Sequence, residues 1–102
     1  MATLHTVNKS PMDRGSLESC VRLAAKGSSV LLIEDAVYGA MQGTVKSELV
    51  SKAMSGITFY VLAPDMEARG IAKDKLINGI ETVDYAGFVD LVTKHDTTNS
   101  WL

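Results

Sequence analysis

Apolar and polar residues alternate along the chain in blocks of two different periods. Thr3 to Val7 is a short run rich in β-branched residues and reads as a strand that Asn8-Lys9-Ser10-Pro11 stops. A helical pattern follows to about Lys26, with Leu17, Val21 and Ala24 on one side. Ser10 ahead of Pro11, or Asp13 or Ser16 further on, can cap its start, and Gly27 ends it. Val30 to Ile33 is apolar on both faces, the pattern of a strand covered from two sides. Gly39 and Gly43 break the next helical stretch before Lys46 to Met54, and Gly56 closes it. Ile57 to Leu62 reads as a third strand. Pro64-Asp65 then opens a short helix that Gly70 ends. The stretch to Asn78 has no clear period, and Ile80 to Val83 predicts a short fourth strand. Asp84 caps a last helix reaching about His95, and Asp96 to Leu102 reads as a polar tail.

Strand and helix in alternation imply parallel pairing through right-handed crossovers. The expected architecture is a single three-layer α/β domain over residues 1–102, with a central, mostly parallel sheet of four to five strands flanked by helices. It resembles a small doubly wound, flavodoxin-like fold. Ligands of such folds sit outside the carboxyl ends of the strands. That directs attention to Asn8-Lys9-Ser10, Glu34-Asp35, Ala63-Pro64-Asp65 and Asp84-Tyr85.

Composition narrows the function. A chain of 102 residues has room for one core, and with 46% hydrophobic and 22% charged residues it is expected to fold. The net charge is −2 and the ten Lys and Arg residues are scattered, so no electrostatic footprint for nucleic acid or an anionic membrane is visible. The single cysteine, Cys20, excludes an internal disulfide and suggests a reducing compartment. The opening residues lack a signal peptide's basic and apolar regions, and Val30-Leu31-Leu32-Ile33 is too short to span a bilayer. A cytoplasmic protein is expected.

Several chemistries have candidates of unequal quality. No glycine-rich phosphate loop follows a strand, and Gly39 and Gly43 do not make one, so no nucleotide cofactor is expected. Glu34-Asp35 stands at a strand end, but adjacent strand residues point to opposite faces and Asp35 is expected simply to cap the next helix. His5 and His95 lack the clustered spacing of a metal site. His5 reads as a satisfied core or interface histidine. His95 sits at a helix C-terminus beside an apolar stripe of Tyr85, Phe88, Val89 and Val92. Cys20 falls beside the Leu17/Val21/Ala24 face, toward Leu23, which predicts partial burial. It is either a small core filler or a thiol at the rim of a subunit contact. Trp101 either folds back over its own domain or anchors the tail in a partner.

The opening block Leu4-His5-Thr6-Val7-Asn8-Lys9-Ser10-Pro11 resembles that of the DsrH/TusB family of sulfur-relay proteins. Leu31-Leu32-Ile33-Glu34-Asp35 with Gly43, Tyr60-Val61-Leu62 leading to Ala68-Arg69-Gly70, and Val83-Asp84-Tyr85 through Phe88-Val89 to Lys94-His95 fit the same family, as does Trp101. The resemblance implies a subunit of an α2β2γ2 heterohexamer built with two homologous small subunits, which accepts persulfide sulfur and passes it to a downstream carrier protein. In the TusB branch the sulfur reaches the wobble uridine of tRNA, without direct nucleic-acid binding by this chain. In the DsrH branch it feeds sulfur-compound oxidation. The principal cysteine of such complexes lies on another subunit, which leaves Cys20 as a secondary persulfide carrier or a packing residue and Trp101 as an interface residue. A cysteine at position 20 is closer to the DsrH branch.

Overall fold

The computed structural model describes residues 2–12 and 15–101. Five strands, β1 (Thr3–Val7), β2 (Ser29–Leu32), β3 (Thr58–Leu62), β4 (Glu81–Val83) and β5 (Thr97–Trp101), form one sheet in the order β4-β3-β2-β1-β5. Every pairing is parallel. The chain thus steps outward from β1 to β4, then returns across the sheet to add β5 on the other side of β1. The order reverses at β1, where the carboxyl end of that strand meets the carboxyl end of β5.

The connecting helices are α1 (Ser16–Leu23), α2 (Ser47–Ala53), α3 (Ala63–Ala68) and α4 (Tyr85–Lys94), with 3-10 turns at Glu34–Ala40 and Lys73–Lys75. Strand alternation sends Val7, Val30, Leu32, Phe59 and Val61 to one face, where Leu17, Cys20, Val37, Val50 and Met66 meet them. Leu4, Leu31 and Leu62 point the other way and meet Leu91, with Phe88 and Tyr60 partly buried alongside. The first face therefore carries three helices and a 3-10 turn, and the second carries α4.

Two expectations change. The first helix ends at Leu23, short of Lys26, because Ala24 turns to an extended conformation and the Gly27 N–H donates to the Gly56 carbonyl. It starts after Gly15 with no side-chain cap; Ser10 accepts instead from the Met12 N–H, and Asp13 lies outside the described residues. The larger correction concerns Asp96 to Leu102. The polar tail is β5, in register with β1 from Thr3 opposite Thr97 to Val7 opposite Trp101. Its residues Thr97 to Ser100 are exposed, so no apolar alternation marks it as a strand. What holds it is the backbone ladder, hydroxyl bonds from Thr3 to Thr97 at 2.9 Å and from Thr6 to Ser100 at 3.2 Å, and the Trp101 side chain on the core.

Candidate functional site

Cys20 is 0% exposed, more deeply buried than Val21 and Ala24, while Leu23 beside it is 71% exposed. The expected partial burial is thus corrected to complete burial. On an α-helix Glu18 and Cys20 are about 160° apart. Glu18 reaches Lys46, just ahead of α2, at 3.5 Å, so Cys20 faces the opposite flank, toward β1 and β5. α1 touches β5, and the side chain of Trp101 packs against the cluster that contains Cys20. Burial pushes the thiol up to about 12 from 9.0, because a thiolate there would lose its hydration. The thiolate is the nucleophile, so in this conformation Cys20 is unreactive at neutral pH.

Beside it stands a pair that the sequence did not reveal as a pair. The Trp101 indole Nε1–H donates to His5 Nδ1 at 3.0 Å, with ring centroids 6.1 Å apart and planes tilted by 47°. An indole N–H can only donate, so Nδ1 must carry the lone pair and the imidazole is neutral with its proton on Nε2. His5 is 6% exposed, and burial holds its pKa below the ordinary 6.5. His5 is therefore a satisfied core histidine, and Trp101 lies back over its own sheet, half-buried. Their strand neighbours in register are Asn99 opposite His5 and Val7 opposite Trp101.

At the carboxyl ends of β2 and β3 the charged residues hold one another. Glu34 has φ 50, the left-handed region that side chains with a Cβ avoid, and its N–H donates to Asp65 Oδ2 at 2.7 Å. Asp35 does not cap the following turn: Ile33 occupies that position without a side-chain bond. Asp35 Oδ1 accepts from Arg69 Nε at 2.9 Å and is ion-paired with Nη2 at 2.9 Å, while Arg69 Nη1 donates to the Asp65 carbonyl. Glu34 and Asp35 thus belong to a clamp between the end of β2 and α3, and no shared proton site results. Next to it, buried Asn8 Oδ1 has no hydrogen-bond partner among the described residues.

Asp84 caps α4 as expected, accepting from the Gly87 N–H at 2.8 Å. His95 closes the helix by bonding the Leu91 carbonyl at 2.6 Å and Ser29 Oγ at 2.9 Å. His5 and His95 lie on opposite faces of the sheet. The expected apolar stripe divides: Phe88 packs on the sheet with Leu91, whereas Tyr85, Val89 and Val92 are exposed at 60%, 64% and 40%. Lys94 lies toward Tyr60 on β3 and Gly87 lies against Val83 on β4. On the helix wheel the exposed apolar residues lie on the opposite flank from Gly87 and Lys94. No helix among the described residues is long and apolar enough to cross a membrane.

The relationships of the chain agree with this architecture. The family described as DsrH like protein matches residues 9–98. The chain belongs to that DsrH/TusB family. Protein TusB of Pectobacterium parmentieri is 31% identical over 99 residues, covering 96% of this chain and 99% of that protein. Protein TusB of Enterobacter sp. (strain 638) is 36% identical over 98 residues with the same coverage. Among solved structures, the ychN protein from E. coli superposes with a TM-score of 0.80 at 19% identity, over 99% of this chain and all (100%) of that one. MTH1491 from Methanobacterium thermoautotrophicum, a protein of unknown function, gives 0.69 at 19% identity over 91% of this chain and 90% of its own. These two establish the shared fold.

Proposed function

We propose that this DsrH/TusB-family chain is a single-domain subunit of a cytoplasmic sulfur-relay complex, assembled with two homologous small subunits in an α2β2γ2 hexamer and handing sulfur to a carrier protein. The observation that carries the reading is the relationship to TusB proteins over 96% of the chain. Two features of the molecule support it. A protein with one thiol can hold a persulfide but cannot resolve it internally, so transfer must go to a thiol on another chain. The exposed Tyr85/Val89/Val92 flank of α4 is an apolar surface of the kind that subunit contacts bury.

Within the complex the principal sulfur-accepting cysteine belongs to a partner. Cys20 is a secondary carrier, inert until the cover over it opens, and the outer surface of Trp101 meets a partner subunit. The sulfur serves intracellular sulfur oxidation in the branch that Cys20 favours. It serves tRNA wobble-uridine thiolation in the branch that the names of the relatives favour. Native mass spectrometry of the protein purified from its own cells tests the assembly: a hexamer of three chain types is expected, and a lone monomer in the presence of the sister subunits overturns it. Loading that complex with a persulfide donor and measuring the mass of each chain assigns the carrier. A substantial fraction of sulfur on Cys20 supports a secondary role, and none identifies it as a packing residue.

A further inference from the structure

We propose that β5 is a proton-released strap: protonation of His5 detaches Trp101 and the end of β5 from the edge of the sheet. The strand is held on one side only, by its ladder to β1, and four of its five residues, Thr97 to Ser100, are exposed. Its single apolar fastening is Trp101, whose indole N–H needs the lone pair on His5 Nδ1. An imidazolium carries N–H at both nitrogens, so protonation sets donor against donor across 3.0 Å. His5 has little room to turn away. It is buried on the α1 side, between Val30 of β2 and Asn99 of β5. The edge strand, open on its outer side, is the element that can yield.

The surroundings of His5 leave its titration to burial. β2 runs from Ser29 to Leu32 and β5 from Thr97 to Trp101 without a charged residue. On α1, Glu18 is engaged with Arg22 and Lys46 on the far flank. Asp96, just ahead of β5, accepts from the Ala2 N–H at the opposite end of the strand from Trp101. No described carboxylate is paired with His5 to hold the charged form in place, so a proton arriving there is paid for by opening the strap. Trp101 packs on the same core cluster as Cys20, so its release opens that cluster and makes the thiol a built-in reporter of the open state. The strap extends the relay reading by giving the buried thiol a route to a partner, but its test uses no sulfur donor and no partner.

Trp101 is the only tryptophan, so its emission in the full-length chain reads the latch directly. As pH falls, emission should shift toward that of hydrated indole with a midpoint below the ordinary 6.5, while far-UV circular dichroism keeps its folded signal. His5→Asn supplies an amide oxygen that accepts from the indole and does not titrate, and should abolish the shift. With 4,4′-dithiodipyridine, a disulfide reagent that works in acid, Cys20 should react roughly tenfold faster in the wild type than in His5→Asn at about pH 5. Trp101→Ala, which removes both the donor and the apolar fastening, should make Cys20 react faster than in the wild type at neutral pH. Emission that does not move while the fold persists, a shift that survives His5→Asn, or Cys20 protected in Trp101→Ala overturns the strap. Hexamer assembly, followed separately by native mass spectrometry, stands or falls independently of these results.

Discussion

On the face that carries α1, α2 and α3 the sheet meets a continuous core running from Leu17 and Cys20 through Val37 and Val50 to Met66, whereas on the opposite face α4 alone covers Leu4, Leu31 and Leu62. Parallel sheets are normally covered on both sides, since their strands are apolar on both. β2 illustrates this with Val30, Leu31 and Leu32 all at 0% exposure. The first face is complete within the chain and hides its only thiol. The second leaves apolar helix surface of α4 exposed. The thiol and the exposed apolar flank of α4 thus lie on opposite faces, and each can be altered without the other.

The sharpest test of that contrast is truncation of one large residue on each face. Phe59→Ala empties a fully buried site among many neighbours and should cost about 4 kcal/mol in urea denaturation. Leu91→Ala, on the buried side of α4 in the smaller cluster, should cost nearer 2 kcal/mol. Equal losses would mean that the thin face is as tightly packed as the thick one.

Cys20 probes the thick face chemically. Cys20→Ser buries a hydroxyl that must find a partner, and should destabilise by about 2 kcal/mol. Cys20→Ala leaves a small void with no polar group and should cost about 1 kcal/mol. In an assembled complex the alanine variant should retain its subunits and lose sulfur transfer only in part. Complete loss would place Cys20 at the centre of the relay.

The same thiol and His5 set pH limits with opposite signs. The folded thiol titrates at about 12 against 9.0 when exposed, so its contribution is intact below 9.0 and lost as pH rises above it. Cys20→Ala should flatten that alkaline loss. His5 binds its proton less readily when folded than its ordinary 6.5 allows, so stability should fall as pH drops below 6.5 and the unfolded chain takes up the extra proton. His5→Asn should reduce the acid loss, as followed by urea midpoints across the range.

The smallest effect on stability is expected on the exposed flank of α4. Val89 is 64% exposed, so Val89→Lys should change the folding free energy of the isolated chain by less than about 0.5 kcal/mol. The same substitution should weaken association with sister subunits, measured by co-purification. If association is untouched, the thin face is not the subunit contact.

Local pattern was enough for β1, β2 and β3, for the glycine-bounded turns and for the Asp84 cap, because each depends on residues within a few positions of one another. The motifs at both ends of the chain were also enough to place it in its family. Asp35 was misread because its partner, Arg69, lies 34 residues away. β5 was misread because Thr97, Thr98, Asn99 and Ser100 carry no apolar alternation, and only the open edge of β1 makes them a strand. The full burial of Cys20 was likewise beyond a local reading. A helix wheel shows which residues share a side, but it does not show how far the neighbouring sheet extends beneath them. The sequence by itself determined a parallel α/β chain with one thiol. Tertiary structure alone decided that Trp101 is bonded to His5 and that the thiol is fully buried, because the first contact joins segments 96 residues apart and the second depends on what packs over α1, neither of which local preference decides.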